Sequence, residues 1–118
     1  MAIKLKRIYE EPAPADGHRV LVDRLWPRGL TKEKARIDEW VKEIAPSHEL
    51  RKWFHADRTK WAEFKKKYGA ELKEHQDQLR QLAACAQKSQ LTLLYASTDS
   101  ERNHAVVLAE YLKKFEAD

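Results

Sequence analysis

Val20-Leu21-Val22-Asp23-Arg24-Leu25-Trp26-Pro27-Arg28-Gly29 is the stretch whose reading decides the fold. Its first three residues form a continuous apolar run, the pattern of a strand covered on both faces, as in parallel α/β sheets. The strand is expected over roughly His18 to Asp23. The apolar run stops at an acid, and two arginines, a tryptophan and a Pro–Gly turn follow. The end of a core strand is a rigid platform, and charged groups placed there commonly serve a ligand. Pro27 suits the second position of a tight turn with Gly29 at its fourth. Thr31 then has the chemistry to cap a short helix, with Glu33 in its first turn.

Upstream, Ala2 to Ile8 alternates, with Ile3, Leu5 and Arg7 on one side and Lys4 and Lys6 on the other, which reads as a half-buried strand. Glu10 to Gly17 holds Pro12 and Pro14 and reads as a loop without regular structure. Downstream, Asp38 to Ala45 reads as either a strand or an irregular packed segment, ended by Pro46. Ser47 can cap a helix whose Leu50, Trp53 and Phe54 share a face. Asp57 can cap a longer helix with Trp61, Phe64, Tyr68 and Leu72 in one stripe, and Leu79, Leu82, Ala83 and Ala86 form a second stripe after an expected break or bend near His75, the alternative being one helix of about thirty residues. Leu91 to Tyr95 is again apolar throughout, the last strand. Thr98, Asp99 or Ser100 caps a final helix that buries Ala105, Leu108, Ala109, Leu112 and Phe115, and Thr98 with Glu101 has capping-box spacing. The expected architecture over residues 1–118 is a single small α/β domain, a mostly parallel sheet of three or four strands flanked by helices.

A chain of 118 residues with 42% hydrophobic content and four tryptophans can bury a substantial core. Its 23 basic and 19 acidic residues leave a net charge of +4. That mild bias favours anionic ligands without by itself indicating nucleic acid. The basic run Lys65-Lys66-Lys67 falls inside an amphipathic pattern and reads as a solvated helix face. The lone Cys85 cannot form an internal disulfide, and Met1-Ala2-Ile3-Lys4 does not begin a long apolar stretch. Both point to a cytoplasmic protein with no membrane span.

Two apolar strands therefore end in polar clusters, and parallel sheets bind ligands beyond the carboxyl ends of their strands. Arg24 and Arg28 offer planar forks to a phosphate or carboxylate. Trp26 could wall the pocket, and Ser97 and Asn103 supply polar contacts. The candidates for acid–base or orienting roles are Asp23, Asp99 and His104, the histidine being the natural proton carrier near neutral pH. A structural reading competes at each position: a salt bridge at Asp23 and Arg24, a core lid at Trp26, a helix cap at Asp99, a carbonyl-bonded ring at His104. No metal site is expected. His48, His55 and Asp57 are close in sequence but lack the cysteine partners of a structural zinc site. No cofactor is expected either, since the chain contains no phosphate-cradling glycine loop, dinucleotide fingerprint or Gly-x-Ser-x-Gly elbow. The leading function is binding of a small anion, phosphate or nucleotide. The alternative is a nucleic-acid-binding or regulatory module using the basic surface, and a third reading is an interaction protein whose aromatics bury a partner.

The motif Val22-Asp23-Arg24-Leu25-Trp26-Pro27-Arg28-Gly29 recurs with Ala45-Pro46-Ser47-x-x-Leu50-Arg51-x-Trp53-Phe54, Trp61-x-x-Phe64-x-x-x-Tyr68, Thr92-Leu93-Leu94-Tyr95-Ala96 and Asn103-x-Ala105. With these residues the chain resembles the YeaO-like branch of domain-of-unknown-function family 488, small bacterial proteins, over nearly its whole length. The resemblance implies no assigned activity. Longer members of the wider family look as if they carry Cys-His-Arg where this chain has Asn103-His104-Ala105. Thiol chemistry at that position is therefore unavailable here, while the histidine remains.

Overall fold

The two continuous apolar runs lie side by side at the centre of one sheet. A computed structural model describes residues 2–116, with side chains to residue 114. Strands β1 (Ala2–Arg7), β2 (His18–Leu21), β3 (Glu39–Trp40) and β4 (Gln90–Tyr95) form a sheet of order β1-β4-β2-β3, parallel throughout. Five helices complete the α/β architecture: α1 (Lys32–Ala35), α2 (His48–Ala56), α3 (Trp61–Leu72), α4 (Gln76–Lys88) and α5 (His104–Glu116). No described helix is long and apolar enough to cross a membrane.

Strand β4 has both neighbours, pairing Ala2↔Gln90 through Arg7↔Tyr95 on one side and His18↔Leu91 through Leu21↔Leu94 on the other. Alternation then sorts the buried side chains. Val20, Val22, Leu91, Leu93 and Tyr95 face the large core built with α2 to α5. Leu21 and Leu94 face a smaller cluster with Ile8, Ala35, Trp26 and Trp40. The second face also holds a charged knot. The carboxylate of Asp16, fully buried, accepts hydrogen bonds from the Ala13 N–H and from Lys6, and pairs with Lys4 and with Arg19.

Local signals explain most boundaries. Thr31 caps α1 through the Lys34 N–H, and Ser47 caps α2 through the Leu50 N–H. The expected break at His75 separates α3 from α4. Four details differ from the sequence reading, and one ambiguity is resolved. Pro14–Asp16 forms one 3-10 turn inside the proline loop, where a proline at the first helical position has no N–H to lose. Pro27 stands first in its turn, not second: its carbonyl accepts from the Leu30 N–H at 3.4 Å, so Gly29, with φ of 76°, takes the third position. Asp57 does not cap α3; its carboxylate is occupied by the Thr59 N–H and hydroxyl, and the helix starts after Lys60. The last helix is capped by Asn103, whose Oδ1 accepts from the Val106 N–H, rather than by Thr98, Asp99 or Ser100. The ambiguous Asp38–Ala45 segment resolves into the two-residue β3 and a 3-10 turn at Lys42–Ile44. Phe115 lies outside the residues whose side chains are described.

Candidate functional site

Because β1, β2 and β4 run parallel, the segments that follow them emerge at one edge of the sheet. There they border a cleft of about 460 Å³ with Tyr9 after β1, Asp23 to Arg28 after β2, and Ala96 to Thr98 after β4. Helix α2, the turn after it and the start of α5 close the other side, contributing Arg51, His55, Arg58, Arg102 and His104.

At the base of the cleft Asp23 ties the sheet to its loops. Its Oδ2 accepts from the Ala96 N–H at 3.0 Å, so the exits of β2 and β4 are stapled together. Its backbone carbonyl accepts from the Trp40 indole at 2.7 Å. Its Oδ1 lies 2.9 Å from Nε2 of His104, but that nitrogen has its N–H directed at the Val22 carbonyl, 3.0 Å away. Oδ1 therefore sits close to the ring yet off the N–H axis, buried and, among the described residues, without a hydrogen-bond donor. The imidazole is set by strand β2 on one side and borders the cleft on the other; its edge meets the Tyr68 ring at 6.3 Å between centroids.

The arginines divide into those bonded to the protein and those free to meet a ligand. Arg24 donates from Nε to the Pro46 carbonyl at 3.3 Å and from Nη2 to the Ala45 carbonyl at 3.0 Å, bracing the segment before α2. Arg58 reaches Asp99 and the Arg102 carbonyl at 3.5 and 3.4 Å, and lies over the Phe54 ring. The guanidinium groups of Arg28, Arg51 and Arg102 make no hydrogen bond or ion pair to any described residue while lining the cleft. The positive field registers at His55: burial first, then Arg51 and Arg58, hold its imidazole below the ordinary value.

Seven of the eight residues singled out from sequence border this cleft: Asp23, Arg24, Trp26, Arg28, Ser97, Asn103 and His104. Several carry structural duties there. The Trp26 indole donates to the Leu30 carbonyl at 2.6 Å and packs edge-on against Trp40 at 5.3 Å. Ser97 accepts from the Asp99 N–H through its hydroxyl and from Arg7 through its carbonyl. Asn103 is buried, donating to the Asp99 carbonyl while it caps α5. Asp99 stands outside the cleft wall. The backbone N–H groups of Arg102 and Glu101 stabilise its carboxylate and hold its pKa below the usual range, so it shapes the loop that presents Arg102. Sequence reasoning missed Arg51, Arg58 and Arg102 as site residues. Arg51 lies within α2 and Arg58 in the turn after it, and neither follows a strand exit where the sequence reading looked for a site. Among the described residues no three His, Cys, Asp or Glu side chains converge as a metal site would require.

The comparisons agree on kinship. Residues 2–117 match a family model described as the inactive DUF488-N3 subclade. The chain is similar to the uncharacterized protein YeaO of Escherichia coli (strain K12), 49% identical over 113 residues, covering 96% of this chain and 98% of that protein. It is also similar to the uncharacterized protein Rv3073c of Mycobacterium tuberculosis (strain ATCC 25618 / H37Rv), 40% identical over 110 residues, covering 93% of this chain and 92% of that protein. No solved structure matches the chain. With the family model spanning nearly every residue and close relatives of matching length, the chain belongs to the DUF488 family.

Proposed function

We propose that this protein binds a small anion, a phosphate or nucleotide, in the cleft at the carboxyl ends of β1, β2 and β4. The observation that carries the reading is a charge imbalance. Five arginines drawn from three separate segments line one cleft whose one described carboxylate, Asp23, is already engaged with Ala96, and of the five only Arg58 pairs with an acid, Asp99 outside the wall. Like charges gathered on a concave surface repel one another and concentrate the field, so an anion is the natural complement. Arg28, Arg51 and Arg102 contact the anion as planar forks, Arg24 and Arg58 brace the wall, and Trp26 bounds the pocket. Ser97, Asn103 and Asp99 hold the loop in place. Asp23 and His104 orient the ligand, with the histidine the group able to exchange a proton. The subclade's description as inactive agrees with a binding role over a catalytic one. A cytoplasmic setting belongs to the same proposal, supported by the free thiol of Cys85.

A thermal-shift titration with phosphate, sulfate and nucleotides tests this, because a ligand of the native state stabilises it by RT ln(1 + [L]/Kd). We expect a rise in melting temperature for the wild type that is lost in Arg51→Ala and in Arg28→Ala. Equal shifts in both variants and the wild type overturn the assignment.

One observation favours a second reading, nucleic-acid binding at a separate groove. A groove between α3 and α5 presents Lys65, Lys66, Lys73 and Lys114 against one acid, Glu110, which pairs with Lys65. That reading requires binding to short DNA or RNA that falls steeply with rising salt.

A further inference from the structure

The arginine-lined cleft also holds exposed apolar side chains. Among the described residues two large hydrophobic side chains are exposed, Tyr9 at 42% and Leu25 at 63%, and both line this cleft. One scattered exposed leucine means little. Two such residues from different strand exits, meeting in the same charged cavity, form a patch where a ligand would sit.

Tyr9 is held in place before any ligand arrives. Its hydroxyl donates to the Arg28 carbonyl at 2.9 Å, and the Arg7 guanidinium lies 5.0 Å from its ring centroid. Arg7 is itself fixed by the carbonyls of Ala96 and Ser97. An aromatic ring restrained at both ends loses little freedom on binding, which makes it an efficient surface for stacking. The volume of about 460 Å³ falls within the usual range for small-molecule sites and leaves ample room beyond one phosphate group.

We infer that the ligand is an aromatic phosphomonoester of the nucleoside monophosphate type, its flat ring against Tyr9 and Leu25 and its phosphate among the arginines. This rests on the anion-binding reading and adds the apolar half of the ligand to it. Stacking one base on an aromatic side chain contributes enough to raise affinity about tenfold or more over the phosphate alone.

The test is calorimetric titration of the full chain with inorganic phosphate and with each of the four common ribonucleoside 5′-monophosphates. At least one nucleotide is expected to bind about tenfold or more tightly than phosphate. In Tyr9→Ser and in Leu25→Ser the ratio of nucleotide to phosphate affinity should shrink to within about twofold, whereas Tyr9→Phe, which gives up the hydroxyl bond to the Arg28 carbonyl but keeps the ring, retains it. Both positions are exposed, and melting curves establish that each variant is folded. Equal affinity for phosphate and every nucleotide overturns the inference and leaves anion binding standing. A nucleotide preference untouched by both serine substitutions overturns it as well. Binding of none of the five probes overturns the anion-binding reading and this inference with it.

Discussion

Nε2 of His104 stands between two acceptors, the Val22 carbonyl at 3.0 Å and Oδ1 of Asp23 at 2.9 Å. With no donor on either side, that nitrogen keeps its proton in every form of the ring, and the neutral imidazole is the Nε2–H tautomer. The lone pair at Nδ1 is then the one able to accept a proton. Nitrogen chemical shifts of the His104 ring should show this tautomer, and a predominant Nδ1–H form would contradict the arrangement.

Asp23→Asn tests the same junction. Its side-chain oxygen must still accept from the Ala96 N–H, so the amide NH₂ would face the N–H of His104, donor against donor. We expect a loss of about 1–3 kcal/mol, the usual cost of an unsatisfied buried group. Denaturant melts coinciding with the wild type would show that Oδ1 and the ring do not interact.

Ser47 and Glu71 form a helix cap assembled from two helices. Capping by the serine's own Oγ is joined here by the carboxylate of a residue in α3: Glu71 accepts from the Ser47 N–H at 2.8 Å and from its hydroxyl at 2.6 Å, while the same hydroxyl oxygen accepts from the Leu50 N–H. This is capping-box chemistry with the acid supplied from a distant element. Ser47→Ala should cost about 1–2 kcal/mol. In a double-mutant cycle with Glu71→Ala the two losses should be non-additive by about 0.5–3 kcal/mol, and strict additivity would separate the pair energetically.

Asp16 predicts an acid limb in the stability curve. Burial alone would raise its pKa, but hydrogen bonds from the Ala13 N–H, Lys6, Lys4 and Arg19 outweigh that and hold it far below the ordinary 3.8. A carboxylate lowered in the folded state contributes stability that is complete above its unfolded value and lost as pH falls toward its folded one. Wild-type stability should thus decline steadily as pH drops below about 3.8. Asp16→Asn should lose about 3–5 kcal/mol near neutral pH, since Arg19 is left buried without its counter-charge, and its curve should be flatter in acid. Parallel acid titrations of the two proteins would refute this.

Two glycines with positive φ should respond differently to alanine. At Gly17 (φ 64°) a Cβ would stand 2.3 Å from the Gln90 carbonyl oxygen, on the backbone that leads into β4. At Gly29 (φ 76°) it would meet open space. Gly29→Ala carries only the left-handed penalty, about 1–2 kcal/mol. Gly17→Ala adds a backbone collision and should destabilise by clearly more. Equal melting temperatures for the two variants would contradict the contact at Gln90.

What was legible in the sequence was whatever is decided by neighbours along the chain. Val20 to Val22 and Leu91 to Tyr95 announce buried strands because burial on both faces demands uninterrupted apolar residues. Thr31 and Ser47 announce helix starts because a cap acts within three residues. The misreadings share a cause. Asp57 and Thr98 have capping chemistry, but each stands in a loop where other backbone donors or Asn103 supply the competing solution. The site was half legible. The exits of two parallel strands marked Asp23, Arg28 and His104, whereas Arg51, Arg58 and Arg102 join them only through packing of α2 and α5 against the sheet. Nor does a sequence show that an arginine such as Arg24 is committed to carbonyls twenty residues away.

The strand order carries a consequence for how the chain is made. β1 and β2 are synthesised well before β4, yet neither touches the other in the sheet, because β4 lies between them. Until Gln90–Tyr95 leaves the ribosome, both present unpaired edges, and translation at about 5–20 residues per second leaves them waiting for some seconds. Over that interval the four-stranded sheet cannot close, and the two-residue pairing of β2 with β3 is all of it that the nascent chain can form.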